Sequence, residues 1–226
     1  MTGGCIDAET EFFSGLIELQ YGRKAVSKLK AIAGKLPWAK GWPADGRAFW
    51  NAEAFMWSRK IDKSRRDLIS GEISKELLSL KKGKNLDIGC GAYSYVPSVG
   101  IDFSEKMLQF NDLCSEKVIG DLEKLLPFPD ESFNSATAVF VLNYIRNYRQ
   151  LLKEVCRVLK KKGVFVAVLS SAGVNNWQKQ KEVNDFNKGE WKALLQKAVQ
   201  KAGLATDFYE KEGLLFFKCR KGAVFS

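Results

Sequence analysis

The chain has 226 residues, 46% of them apolar and 12% aromatic, which suits one domain with a large core and excludes a disordered or fibrous chain. Thirty-six Lys and Arg against 26 Asp and Glu give a formal charge of +10, but the basic residues are spread along the chain, as on solvated helix faces, so charge alone names no nucleic-acid partner. Histidine is absent, which excludes imidazole bases, Ser-His and Cys-His nucleophile pairs and histidine metal ligands.

The cysteines (Cys5, Cys90, Cys114, Cys156 and Cys219) lie far apart with no C-x-x-C pair. Reduced intracellular thiols are expected, and no metal site. The first residues, Met1-Thr2-Gly3-Gly4-Cys5, have no basic n-region or apolar h-region, and no stretch approaches a membrane span. A cytoplasmic protein without a membrane partner is the expectation. The sequence fixes no oligomeric state.

In chain order, apolar residues recur at helical spacing from Glu11 to Leu36 (Phe12, Phe13, Leu16, Ile17, then Val26, Leu29, Ile32). Tyr21 to Lys40 carries Arg23, Lys24, Lys28, Lys30, Lys35 and Lys40 with no acid, a surface that suits an acidic partner. An aromatic stretch follows with Trp38, Trp42, Phe49, Trp50, Phe55 and Trp57, and then a helix over Arg65 to Leu80. From residue 85 strands and helices alternate. Strands are predicted at Leu86 to Gly89, Val99 to Phe103, Val118 to Gly120, Ser135 to Leu142 and Val164 to Ser170. Ser104 and Asn147 are helix caps, and "KKKG" closes the second of those helices. Residues 171 to 187 form a long polar connection, Lys188 to Ala202 a helix, and Leu204 to Lys218 a closing hairpin.

This order predicts an α/β fold: a Rossmann-like, mostly parallel sheet with an antiparallel last strand and a helical N-terminal extension. Residues 1–82 form the extension and 83–226 the core. Ligands of such sheets bind beyond the carboxyl ends of the strands, where the glycine turn Gly89-Cys90-Gly91, Asp102, Asp121 and the end of the Ser135 strand converge. The stretch "NLDIGCGAYSYVPSVGIDFS" has a turn and a strand-end acid, yet only Ala92 to Pro97 stand where a helix of several turns is expected. A dinucleotide needs its pyrophosphate held at a helix N-terminus, so a shortened first helix disfavours NAD.

On "LDIGCG", "VGIDFSEKML" and "GDLEKLLPFPDESFNSATAVFVLNYI" the chain resembles the class I S-adenosylmethionine (SAM)-dependent methyltransferases, particularly the small-molecule group that includes UbiE-like enzymes. The resemblance runs from about Lys84 to Ser170 and implies a seven-stranded sheet with SAM as cofactor. It departs from the family at Tyr93, which stands in place of the third motif glycine. It implies that Asp87, Gly89 and Gly91 shape the turn around the amino-acid end of SAM. Asp102 would accept the ribose hydroxyls, with Phe103 beside the adenine; Asp121 would take the adenine amino group, with Leu122 against the ring; Phe140 would sit near the methyl-bearing centre.

The resemblance also implies in-line methyl transfer to a small-molecule acceptor, achieved mainly by positioning. Where a base is required, Glu53, Tyr144, Tyr148 and Asp185 are the candidates by location. In this family the segment before the first strand often covers the active-site edge. That makes residues 1–82 a candidate substrate lid, with Trp50, Asn51, Phe55 and Trp57 facing substrate and Trp177 on the opposite wall. An RNA or protein methyltransferase and a non-catalytic SAM-binding partner domain remain as alternatives. No N-P-P-Y motif and no cytosine-C5 Pro-Cys pair is present, so a nucleic-acid acceptor is possible but not favoured.

Overall fold

The computed structural model describes residues 7–20, 25–80, 83–170, 176–184 and 191–222; a few side chains inside those ranges, Trp177 among them, fall outside the description. Two helices open the chain, α1 (Ala8–Gln20) and α2 (Val26–Ala33). Their stripes at helical spacing close Phe12, Leu16, Leu29 and Ile32 around Trp42, Ala48 and Ala52. The aromatic stretch is itself a helix, α3 (Gly46–Lys60), started by Asp45, whose carboxylate accepts from Ala48 N at 2.8 Å. Its aromatic residues point in several directions and leave no stripe to read, which hides the helix in the sequence. Helix α4 (Lys63–Leu77) is capped in the same way by Asp62, with Ile69 and Ile73 fully buried.

Among the described residues seven strands follow: β1 (Asn85–Ile88), β2 (Ser98–Asp102), β3 (Cys114–Ile119), β4 (Phe133–Val139), β5 (Leu159–Ser170), β6 (Leu204–Lys211) and β7 (Leu214–Lys221). They form one sheet in the order β3-β2-β1-β4-β5-β7-β6. β1 to β5 pair in parallel, and β7 runs antiparallel to both β5 and β6. Between β2 and β3 lies α5 (Glu105–Phe110), capped by Ser104. α6 (Tyr148–Val158) precedes β5, and α7 (Asn176–Lys179) and α8 (Trp191–Lys201) precede β6. No described helix is long and apolar enough to cross a membrane.

Three boundaries differ from the sequence reading. β3 begins at Cys114 because its middle residues, Ser115, Glu116 and Lys117, are exposed on the sheet's edge and carry no apolar signal. β4 ends at Val139, where Phe140 turns the chain with φ +56°. "KKKG" does not close a helix: it opens β5, with Lys162 at φ +62° and the register against β4 shifted there.

The two faces of the sheet are chemically unlike. On one, Leu86, Ile88, Val99, Ile101, Ala136 and Phe165 pack against α6 and α8 in the main core. On the other, Val164, Val166, Val168 and Phe216 lie under α4. Beside them, toward β1 and β2, that second face turns polar. Asn85, Asp87, Ser98, Ser135 and Thr137 are all buried there. Asn85 Nδ2 donates to Ser98 Oγ and Thr137 Oγ1, and its Oδ1 accepts from Ser135 Oγ. Residues 89–97 cover this patch as turns and bends with no helix, so the shortening of the first helix is complete.

Candidate functional site

A cleft of about 730 Å³, counted to its open mouth, lies at the carboxyl ends of β1, β2 and β4. Gly89, Gly91, Asp102, Phe103, Asp121, Leu122 and Phe140 line it. Trp50 and Trp57 of α3 close it from the N-terminal side, and Tyr144 and Ile145 from beyond β4. Met107, Glu123, Val139 and Val141 also line it. These four fall within the stretches that carry the family resemblance, which assigned them no role.

Two glycines shape the turn, and both need a left-handed backbone, Gly89 at φ +61° and Gly91 at φ +56°. A side chain on Gly89 would strike Val141 at 2.8 Å. One on Gly91 would lie 3.6 Å from the Trp57 indole nitrogen and 3.9 Å from the Met107 sulfur, filling the cleft. Asn111, fully buried, holds the turn from outside: its Nδ2 donates to the carbonyls of Cys90 and Gly91 and to Ser94 Oγ.

Asp102 ends β2 with its carboxylate buried against the cleft. Oδ2 accepts from Gly91 N at 3.0 Å and Oδ1 from Ser104 N at 2.9 Å. Neither bond uses up the acceptor capacity of its oxygen. Among the described residues no cation pairs with it, and burial raises its pKa to about 6. Asp87 is also raised to about 6 by burial, against hydrogen bonds from Ser94 and Thr137 and assisted by the charge of Asp102. Asp121 stands at the mouth, accepting from Glu123 N.

The candidate bases fare differently. Tyr144 is half-buried in the cleft, its ring edge-on to Trp50 at 4.8 Å. Burial, then the charges of Glu182 and Glu53, push its pKa above the usual phenol value, so at neutral pH it is a hydrogen-bond donor. Glu53 pairs with Lys60, accepts from Gln178 Nε2 and does not line the cleft. Tyr148, the first residue of α6, is buried in the main core and does not line the cleft. Asp185 lies outside the described residues, as does the side chain of Trp177.

Of the lid candidates, Trp50 and Trp57 reach the cleft. Asn51 and Phe55 attach α3 to its neighbours. Phe55 stacks on Phe13 at 4.4 Å. Asn51 donates to the Trp38 carbonyl and accepts from Ser104 Oγ and Lys106 N, joining α3 to the start of α5. No group of three or more acidic or cysteine side chains among the described residues suits a metal ion.

A family model described as a methyltransferase domain matches residues 86–167. The demethylmenaquinone methyltransferase of Listeria welshimeri is 32% identical over 123 residues, 46% of this chain and 52% of the relative. That of Geobacillus stearothermophilus is 33% identical over 113 residues, 42% and 48%. The chain thus spans about half the length of the curated relatives it matches. Among solved structures, the methyltransferase in complex with the Trm112 methyltransferase activator of Haloferax volcanii superposes with a TM-score of 0.59 at 16% identity, covering 80% of this chain and all of that one. The cyclase SpnF gives 0.58 at 15%, covering 74% and 84%. A SAM-dependent methyltransferase from Mesorhizobium loti gives 0.51 at 18%, covering 67% and 96%.

Proposed function

From a chain that carries a class I SAM-dependent methyltransferase domain, we propose a methyltransferase that binds SAM in the cleft and methylates a small, flat, largely apolar acceptor. The observation that carries this reading is Asp102: a buried carboxylate at the strand end, free of any described cation, with acceptor capacity to spare. Two vicinal hydroxyls would satisfy it, as a ribose provides. Gly91 leaves the space that a side chain would fill, so the residues present fit an adenosyl ligand. Asp121 at the mouth would take the adenine amino group, with Phe103 and Leu122 against the ring and Phe140 toward the sulfonium. When bound, SAM supplies an already activated methyl group.

What the chain's own residues contribute is orientation and exclusion of water. Trp50, Trp57, Phe140 and Tyr144 offer aromatic faces and edges to an acceptor, and Trp50 and Trp57 would serve as its lid. The Tyr144 phenol would donate to an acceptor oxygen. Phe140 at positive φ is costly for a bulky side chain and concentrates strain at the cleft. The lining holds Asp102, Asp121 and Glu123 and no Lys or Arg, which disfavours phosphate-rich acceptors. The names of the relatives suggest a quinol-like acceptor. The likeness to a cyclase supports the fold alone, since fold does not fix reaction.

The test is calorimetric titration with SAM and S-adenosylhomocysteine, followed by methyl transfer from labelled SAM to naphthoquinols, other phenols and total RNA. Binding with label in a small-molecule product is expected. No binding refutes the cofactor assignment, and label in RNA alone refutes the acceptor class.

A further inference from the structure

Cys90 stands between the two glycines of the turn, yet its side chain does not line the cleft. It packs instead with Leu108 and with Cys114, the first residue of the edge strand β3, in a small buried cluster. Gly100 of β2 makes this meeting possible. A Cβ there would lie 2.3 Å from Cys114 Sγ and 2.7 Å from Cys90 Sγ, so the two sulfurs are at most about 5.0 Å apart. Both thiols are free. The other described cysteines meet different groups: Cys156 the Gly203 carbonyl, Cys219 the Thr206 hydroxyl.

The pair is chemically unequal. Hydrogen bonding from Cys90, opposed by burial and helped by Ser94 at 3.1 Å, lowers the Cys114 pKa, while Cys90 is raised by the same bond and by its burial. A sulfur inclined to the thiolate beside one held as a thiol suits an attacking and a resolving cysteine. We propose that Cys90 and Cys114 are a redox modification site, which a hydroperoxide converts to an intramolecular disulfide that displaces the glycine turn and weakens SAM binding. The Cys114 thiolate attacks a peroxide oxygen, the O–O bond breaks, and the leaving oxygen departs as water after taking a proton. The Cys90 sulfur then attacks the sulfenic sulfur, and its proton leaves with the sulfenic hydroxyl as a second water. Two electrons pass from the thiols to the peroxide.

A disulfide holds its sulfurs about 2 Å apart, so the pair must draw together. Cys114 is laddered to Ser98 in the sheet, which leaves the turn to give. Cys90 adjoins Gly91, whose N–H donates to Asp102, and Asn111 Nδ2 holds the Cys90 and Gly91 carbonyls. Moving Cys90 breaks that set. The effect on binding rests on the SAM reading; the cross-link does not.

The test treats fully reduced protein with a small excess of hydrogen peroxide and maps unreduced peptides by mass spectrometry. SAM affinity is measured by calorimetry before treatment, after it and after dithiothreitol. A peptide linking Cys90 to Cys114, short of two hydrogens, is expected. Affinity should fall roughly 10- to 150-fold, the worth of a hydrogen bond to a charged group, and return with dithiothreitol. Cys114→Ser should bind SAM as reduced wild type does and not respond to peroxide. Absence of the linked peptide overturns the proposal, as does a linked protein of unchanged affinity, or an equal peroxide response in Cys114→Ser. If that variant fails to fold, the linked peptide and the dithiothreitol recovery of wild type decide. Reduced wild type that binds no SAM refutes the cofactor reading, and with it the effect on binding, while the linked peptide still decides the pairing.

Discussion

Replacing Asp102 with asparagine separates what this carboxylate does for the fold from what it does for the ligand. Burial lifts its pKa from 3.8 to about 6 despite backbone N–H bonds from Ser104, Gly91 and Phe103. At about 1.4 kcal/mol per tenfold in proton affinity, keeping the group charged at neutral pH costs about 3 kcal/mol. Asparagine removes that cost. It also turns an amide N–H toward Gly91 N or Ser104 N, which now bond to separate oxygens. A buried donor left unpaired costs about 1–3 kcal/mol. The two effects nearly cancel, so the free variant should melt within about 4 °C of wild type at pH 7.

Affinity should not survive so well. Hydroxyls that donate to a charged acceptor gain about 1.5–3 kcal/mol, so Asp102→Asn should weaken SAM binding roughly 10- to 150-fold by calorimetry. The pH dependence has a definite sign. A carboxyl whose folded pKa is raised binds its proton more tightly in the folded state, so the free protein gains stability as pH falls through 6 toward 4. The ligand needs the charged form, so wild-type affinity should weaken below pH 6. In Asp102→Asn the change over that range should be smaller, with Asp87 left to titrate there. Equal affinity of variant and wild type, or wild-type affinity that is flat from pH 7 to 5, refutes the assignment.

Gly89→Ala should destabilise more than Gly91→Ala, since both need positive φ but only the first meets a neighbour at 2.8 Å. Gly91→Ala should instead lose cofactor affinity for about 1–2 kcal/mol of stability; denaturant titration beside calorimetry ranks the two. Asn51→Ala breaks three bonds between α3, the Trp38 carbonyl and α5. The unpaired groups should cost about 3 kcal/mol in urea unfolding, with a loss below about 0.5 kcal/mol counting against the tether. Asn111→Ala frees the Cys90 and Gly91 carbonyls, so both stability and SAM affinity should fall. A drop in stability with unchanged affinity would show that the turn holds its shape without it.

Much of this architecture could be read from residue order because its signals are local. Strand-end acids, helix caps at Ser104 and Asn147, and the continuous apolar run of β5 each follow from neighbours a few positions away. The caps formed as expected: Ser104 Oγ accepts from Met107 N, and Asn147 Oδ1 from Gln150 N. What stayed hidden depends on long-range encounters. Glu123 looks like a solvated turn residue, yet its two carboxylate oxygens accept from Arg146 N and Asn147 N, fixing the turn after β4 beside the cleft. Tyr148 and Tyr144 are four residues apart and equally plausible as bases, but Tyr148 starts α6 and enters the core, while Tyr144, in the turn before it, lines the cleft. Asn51 sits among aromatic residues that suggest a lid, and only contact with residues more than fifty positions away reveals it as a tether.

The missing first helix and the polar sheet face are two sides of one solution. A helix laid on β1 and β2 would need an apolar surface beneath it. Here the residues on that face are Asn85, Asp87, Ser98 and Thr137, which no apolar helix stripe could cover without leaving buried groups unpaired. A loop can offer side chains and backbone groups where they are required. Ser94 bonds to Asp87, Asn111 grips the loop backbone, and Gly91 N reaches Asp102. The turn that faces the cleft is therefore fixed by hydrogen bonds rather than by helix packing.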